Sequence, residues 1–414
     1  MGMLSSNEYK PFKTVIFRHV LSSGLRYLSK MRLKEIMFTL LKNTDLYCPV
    51  HIGRTDVLLA NDKIVAIEQS LNTKGLSDVT VIDCGGRMVA PGLIDQHIHL
   101  TGGGGEAGFA SRTPQVTLSK LIKAGTTTVV GVLGTDGISR SPKDLYAKAA
   151  ALTEEGITAF MHTGSYEVPT KTITGNIRDD LTFIPRILGV KIALADHRCS
   201  FPTTQELVRI VSDLRIASLL SGKRGVLHTH MGSLSQPFAQ INELLDMGLP
   251  IHHFSPTHVA RTEGLFDEAI IFALRGGCID ITSGGSRFTP PENAVKLALE
   301  SGIAARQITI SSDGNGSLPK FNPQGELIGL TAASVDNNLL LLPKLIDQGI
   351  SPEQTFAMLT SNVADSLGIN KGRIQTGHDA DICIFNDDFT LHSVIAKGQT
   401  MLADNNLLIT GNFE

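Results

Sequence analysis

The chain changes its hydrophobic pattern twice. Between Gly92 and Asp313, short apolar runs rich in Val, Ile and Thr alternate with longer stretches whose apolar positions recur at helical spacing. The apolar runs are Leu93–His99, Thr126–Leu133, Ile157–Thr163, Val190–Ala195, Gly225–His230, Pro250–Phe254, Cys278–Thr282 and Ile308–Asp313. The helical stretches between them include Thr117–Ala124, Pro142–Glu155, Thr204–Ser221, Gln236–Met247, Thr262–Arg275 and Pro291–Ser301. Strands that alternate with helices predict an α/β fold with a parallel sheet. Repeats about thirty residues apart, one for each of these runs, predict that the sheet closes into a (β/α)8, TIM-like barrel.

Outside that region the pattern differs. Phe38–Leu41, Asp56–Ala60, Lys63–Ile67 and Val79–Asp83 are short β-like runs punctuated by Asn61-Asp62, Gly75 and Gly85-Gly86, as strands joined by turns are. After the last barrel run, Leu330–Gln348 and Pro352–Leu367 predict two helices. From Gly372 the chain reads as β again, with Ile382–Phe385 and Leu391–Ala396 as strands. Residues 1–36 fit neither pattern. Lys10, Lys13, Arg18, Arg26, Lys30, Arg32 and Lys34 face only Glu8 and Glu35, and Val15, Ile16, Val20, Leu21, Leu25 and Leu28 are loosely helical in spacing. A transit-type presequence, a membrane-surface helix and upstream sequence read through from a wrong start compete here, with Met31 and Met37 as alternative starts. The last is preferred, so residues 1–36 are expected to stand outside the fold.

Composition narrows the picture. The 414 residues suffice for one barrel plus one smaller domain. With 42% hydrophobic and 19% charged residues and a net charge of -3, the chain has no basic surplus for nucleic acid or an anionic membrane. The scattered cysteines Cys48, Cys84, Cys199, Cys278 and Cys383 include no Cys-x-x-Cys pair. That usage fits a reducing compartment, hence the cytoplasm, and argues against a zinc knuckle or disulfide framework. No run is long and apolar enough to span a bilayer.

The chemistry starts at Met88–Leu100, an apolar strand entered through a Pro-Gly break. Side chains alternate faces along a strand, so His97 and His99 point the same way at the mouth of the glycine run Gly102–Gly105, as half of a metal site would. Two solvated histidines at a loop edge are the plain alternative. The longer string Pro-Gly-Leu-Ile-Asp-Gln-His-Ile-His resembles the first barrel strand of the amidohydrolase superfamily, metal-dependent hydrolases built on a TIM barrel. That resemblance implies a strand lysine, two further single histidines and a late aspartate. It also implies that residues 37–90 and 372–414 pack as a small β-sandwich domain beside a catalytic barrel over 91–371.

Lys191 lies amid Val190, Ile192 and Leu194 in the fourth run. A buried ammonium there would carry a severe desolvation penalty, and a barrel strand has no exposed edge to offer it. A neutral amine that captures carbon dioxide becomes N6-carboxylysine, an anion with two oxygens able to bridge two metals, as superfamily members with a lysine here commonly have. In the fifth run His228 and His230 share a face. The C-terminal position selects His230, because barrel sites lie at the strands' C-terminal ends, and leaves His228 as a supporting or packed histidine. Beyond the sixth run, His252 and His253 point to opposite sides and His258 falls at the site end. Asp313 closes the eighth run, where an N-cap is the plain reading; in register with the others it becomes ligand and general base. The set His97, His99, carboxylated Lys191, His230, His258 and Asp313 offers nitrogen and carboxylate donors without thiolate, which suits two divalent ions, zinc first.

Residues at the loop ends speak to the substrate. Each of Arg198 and Arg261, taken alone, reads as a surface salt bridge. Together with Glu106 around a hydrolytic centre, they suggest a zwitterion such as a dipeptide. The order Gly102-Gly-Gly-Gly-Glu106, Thr135-Asp-Gly, Tyr166, Lys191…Arg198, His230-Met-Gly, His258…Arg261 and Asp313-Gly-Asn-Gly-Ser317 resembles the isoaspartyl dipeptidases of that superfamily, from about Met37 onward. The resemblance implies hydrolysis of β-aspartyl bonds by a hydroxide bridging two metals, with Asp313 moving the proton and Tyr166 stabilising the oxyanion. It implies that Glu106 binds the substrate's α-amino group, that Arg198, Arg261 and Ser317 hold carboxylates, and that Gly104 and Thr135 contact the ligand. It also implies a homo-oligomer, an octamer. Two alternatives stand beside it. A cyclic-amide hydrolase of the dihydroorotase or hydantoinase type would lack the substrate ammonium that Glu106 would bind. A non-catalytic amidohydrolase-like scaffold is opposed by the complete ligand set.

Overall fold

A computed structural model of the protein describes residues 37–322 and 327–414; the expected extension over 1–36 lies outside the described residues. The strands Leu93–Ile98, Thr126–Gly131, Thr158–Gly164, Ile187–Leu194, Val226–Met231, Phe254–Thr257, Ile279–Thr282 and Ile308–Ser311 form one 8-stranded sheet, each paired with its sequence neighbours. A bridge from Ile98 to Gly314 joins the last strand's end to the first, with the His99 N–H donating to the Gly314 carbonyl at 2.9 Å, and the barrel closes. Local chemistry sets the helices around it. Ser141 caps the helix Pro142–Glu155 by accepting from the Asp144 N–H, and Thr203 and Glu206 form a capping box that starts Thr204–Ser221. Gly222, at φ 71, ends that helix in left-handed backbone. Close strand approach also needs specific residues: a Cβ at Gly189 would lie 2.0 Å from the Val226 carbonyl oxygen on the neighbouring strand.

Strands from both ends of the described chain share a second, 9-stranded sheet. Across it run Asn406–Leu407, Gln399–Ala403, Leu391–Ala396, Ile382–Phe385, Met88–Pro91, Phe38–Tyr47, His51–Ala60 and Lys63–Glu68, with Val79–Asp83 also paired to Phe38–Tyr47. Met88–Pro91, which leads directly into the barrel, is antiparallel to Ile382–Phe385. The edge strand Lys63–Glu68 meets the segment that leads into Ile382–Phe385, where the Ile64 N–H donates to the His378 carbonyl at 3.0 Å, and an apolar core including Leu41, Val57, Ile64, Val89 and Ile384 packs against the sheet. Lys371 fastens sheet to barrel: its buried ammonium lies 2.6 Å from Asp381 and 2.5 Å from Asp379, and donates to the Thr158 hydroxyl at 2.8 Å. Burial pulls the Lys371 pKa down, but the two carboxylates more than offset it, and the net direction is upward.

The structure departs from the sequence expectations in four places. The sixth strand starts at Phe254, because Ile251–His253 forms a 3-10 turn in which His253 Nδ1 pairs with the Gly225 carbonyl at 2.7 Å. Leu330–Ala332 belongs to the strand Leu327–Ala332, paired with Ser317–Phe321, and the helix starts only at Asn337. An apolar run without clear periodicity takes its state from the partner it meets, and that partner was not anticipated. Pro352–Leu367 divides at Thr360 (φ -138, ψ -86) into Pro352–Leu359 and Ser361–Leu367. Ile177–Phe183, Gln399–Ala403 and Asn406–Leu407 are elements the pattern did not announce. Among the described residues no helix is long and apolar enough to cross a membrane.

Candidate active site

The end of the first barrel strand delivers His97 and His99 to one place, as alternation predicts. Their Nε2 atoms lie 3.4 and 3.2 Å from Asp313 Oδ1. Asp313 (φ 53) and His258 (φ 63) follow the eighth and sixth strands in left-handed backbone. That conformation costs a non-glycine residue about 1–3 kcal/mol and persists only where the surroundings over-determine it. Potential ligand atoms of His97, His258 and Asp313 all fall within 4.8 Å of one another. Lys191, at 0% exposure, places Nζ 3.4 Å from His97 Nε2. The His230 ring meets the His258 ring edge-on, with centroids 4.7 Å apart. All six residues expected as ligands therefore gather at the strands' C-terminal mouth.

Burial sets the protonation of this cluster. It pushes the imidazoles of His97, His230 and His258 well below the usual histidine range, so at neutral pH each is neutral with a lone pair to give. The Lys191 pKa is pulled down to about 7, again by burial. Desolvated neutral nitrogens grouped around one carboxylate fit divalent metal ions better than any arrangement these side chains make with one another. His228 sits behind, not at the mouth: its Nε2 is 2.8 Å from His97 Nδ1 and its Nδ1 is 3.0 Å from Ser255 Oγ. Beneath the cluster, the buried Asp280 accepts from Gln96 (2.5 Å), Ser311 (2.5 Å), Thr257 (2.6 Å) and Thr309 (2.9 Å). Burial raises the Asp280 pKa despite those four donors.

Above the cluster opens a cleft of ≈ 770 Å³ lined by Gly104, Glu106, Thr135, Tyr166, Arg198, Arg261, Asp313 and Ser317 among others. Every residue expected to touch substrate thus lines one cavity. The Tyr166 hydroxyl is 2.6 Å from His230 Nδ1, and burial pushes this phenol well above its usual pKa, so it stays protonated. Glu106 Oε1 accepts from the Thr135 hydroxyl at 3.0 Å and from Arg198 Nη1 at 3.2 Å.

Asp196 was not singled out from sequence, yet it is the hub of the lip. It receives Arg198 as a fork, Nε and Nη2 each at 2.9 Å, and its Oδ2 lies 2.9 Å from His230 Nε2. Burial alone would raise the Asp196 pKa; hydrogen bonds from Arg198 and His230 hold it far below the carboxylate range. The Asp-His-Arg spacing at 196–198 was the available signal. Arg261 Nη1 also reaches His230 Nε2, at 2.9 Å. His197 and Arg287 line the cleft as well, and nothing in their local sequence marks them.

A closed (β/α)8 barrel with a His/Lys/Asp cluster at its C-terminal mouth defines a class of barrel hydrolases, and the comparisons agree. The Amidohydrolase family model matches residues 88–401, and the chain belongs to that family. Within it, the chain is similar to the β-aspartyl dipeptidase of the keratin-degrading thermophile Fervidobacterium islandicum AW-1, solved with a β-Asp-Leu dipeptide. That similarity is 39% identity over 91% of this chain and 100% of that one, with a TM-score of 0.86. The dihydropyrimidinase of Brevibacillus agri NCHU1002 shares the fold at 18% identity, over 91% of this chain and 97% of that one, with a TM-score of 0.64. Among curated relatives, adenine deaminase 1 of Latilactobacillus sakei is 24% identical over 85% of this chain; the chain spans only 55% of that protein's length.

Proposed function

We propose that the protein is a cytoplasmic metal-dependent dipeptidase that hydrolyses the β-aspartyl (isopeptide) bond of isoaspartyl dipeptides. The observation that carries this reading is the pairing of Glu106 with Arg198, beside Arg261, at the lip of a cleft whose floor is the His/Lys/Asp cluster. Likeness to an enzyme solved with β-Asp-Leu supports it. Residues 91–371 carry the chemistry in this reading, and 37–90 with 372–414 brace them.

His97, His99, His230, His258, Asp313 and carboxylated Lys191 would hold two divalent ions, zinc by the donor set. With its pKa pulled down to about 7, a substantial share of the Lys191 amine is uncharged near neutral pH and free to attack carbon dioxide, giving a carbamate. When bound, the ions would polarise the scissile carbonyl and bring a water's pKa near neutrality. Asp313 accepts the proton of the attacking water and delivers it to the leaving amine. Tyr166, held protonated by burial, donates to the oxyanion that develops on the carbonyl. Glu106 receives the α-ammonium, with Thr135 fixing its rotamer and Gly104 leaving room for the ligand backbone. Arg198, Arg261 and Ser317 take the carboxylates. Glu106 and Arg198 already form an ion pair at 3.2 Å. A zwitterionic substrate would exchange into that pair, ammonium against Glu106 and carboxylate against Arg198, so neither charge is left alone.

The test is the Glu106→Gln variant with free and N-acetylated β-aspartyl dipeptides. Losing a charge-assisted hydrogen bond of about 1.5–3 kcal/mol lowers kcat/KM on the free dipeptide by roughly tenfold to hundredfold, with metal content unchanged. Acetylation should harm the wild type about as much and the variant little further. Equal wild-type turnover of both substrates would overturn the dipeptidase reading and move the cyclic-amide hydrolase ahead.

A further inference from the structure

The loop that presents Glu106 runs from Thr101 to Gln115 and buries no apolar side chain. Phe109, its largest, is 82% exposed. Gly102, Gly104, Gly105 and Gly108 hold positive φ, so the segment has little intrinsic preference for its shape. Something polar must fix it. Below the loop lies Arg140, only 4% exposed and outside the cleft lining. Its Nε donates to the Thr101 carbonyl at 3.2 Å, and its Nη2 donates to the carbonyls of Gly103 at 3.1 Å and Thr113 at 3.4 Å. Its Nη1 reaches Asp136 Oδ2 at 3.1 Å. Asp136 belongs to the loop after the second barrel strand and also accepts from the Ser139 N–H at 2.8 Å. Its neighbour Thr135 donates to Glu106. Asn315 also holds this loop, donating to the Pro114 carbonyl at 2.8 Å and accepting from the Thr113 hydroxyl at 2.7 Å. It is the buried guanidinium, however, that ties it to the second loop, so that the tips, Glu106 and Thr135, meet in the cleft.

We propose that Arg140 is a positioning residue for substrate recognition: by holding the Thr101–Gln115 loop it sets how sharply the cleft distinguishes a free α-ammonium from a blocked one. The claim about the loop stands on these contacts; the claim about the ammonium rests on the function proposed above. Arg140 lies outside the cleft and acts through three loop carbonyls and the Asp136 carboxylate, which a planar fork can satisfy together. A lysine keeps the charge and three donors, but all on one nitrogen. It cannot reach at once the carbonyls and the carboxylate that lie around three separate nitrogens of the guanidinium, so it should hold the loop less well.

The test compares full-length, metal-loaded wild type with Arg140→Gln and Arg140→Lys. Arg140→Gln should raise KM for the β-aspartyl dipeptide about tenfold or more with little change in kcat, and lower the preference for free over N-acetylated substrate by a similar factor. Metal content should stay at the wild-type level. Chymotryptic cleavage after Phe109 and tryptic cleavage after Arg112 should accelerate, with Arg140→Lys between the two extremes. A purely structural role would instead speed cleavage throughout the chain, drop metal content and leave the preference intact; that result overturns the proposal. So do wild-type KM, preference and cleavage rates in Arg140→Gln. Should Arg140→Gln fail to fold, Asp136→Asn removes one anchor and must shift the same ratios in the same direction. A wild type inert towards β-aspartyl dipeptides would defeat the functional reading, while the cleavage comparison would still decide whether Arg140 holds the loop.

Discussion

A lysine at 0% exposure with neutral imidazoles around it has to shed its charge or find a counter-charge, and Lys191 has Asp313 as an electrostatic partner but no direct ion pair among the described residues. In the proposed function, conversion to a carbamate would resolve this, since it would make the side chain an anion that a metal pair could satisfy. If so, Lys191→Ala should lower the metal bound per chain, read by elemental analysis, and short carboxylic acids should restore part of the metal and the activity. An alanine variant with wild-type metal content would remove the carbamate from the site. The sequence exposed this residue because a lone cation amid Val190, Ile192 and Leu194 conflicts with its strand. His97, His99 and Asp313 were legible for a related reason: alternation and strand ends fix where such side chains go. Asp196 and Arg140 were not legible. Each has a local partner, Arg198 and Asp136, but the contacts that give it a role, to His230 on the fifth strand and to carbonyls across a loop, are non-local, and no spacing rule reports those.

At the scale of elements, the barrel runs were readable because β-branched composition and helical spacing agreed with one another. The hairpin of Ser317–Phe321 and Leu327–Ala332 was not, since only pairing makes a strand of it. Glycines inside strands carry information the pattern cannot show. Gly189 has no side chain where Val226 comes nearest, and Gly189→Ala would place a methyl 2.0 Å from the Val226 carbonyl oxygen. The fourth and fifth strands must then separate, at a cost of about 1–3 kcal/mol. The expected readout is a lower thermal midpoint together with weaker metal retention under chelator, because Lys191 lies on one displaced strand and His230 on the other. A lower midpoint with unaltered retention would show that the strain does not reach the cluster.

Over the whole molecule, the barrel and the terminal sheet are joined by a buried ionic cluster. Lys371→Met would leave Asp381, itself only 6% exposed at the side chain, without its closest counter-charge. Breaking a buried pair from one side costs about 3–5 kcal/mol, which should appear as a lower urea midpoint with little change in the turnover of molecules still folded. An unmoved midpoint would mean that Lys63, paired with Asp379, already carries the joint. The terminal sheet also sets a timetable. Met88–Pro91 takes one partner from Ile382–Phe385, and the side-chain contact beside that pairing, Arg87 to Asn386, spans 299 residues. A ribosome adding about 5–20 residues per second needs roughly 15–60 s to cover that distance. For all of that time the strand feeding the barrel has an open edge, which is a template for any other unpaired strand nearby. A nascent chain cut short just before Ile382 would therefore be a sticky product as well as an inactive one, and expression should tolerate premature stops worst in that final stretch.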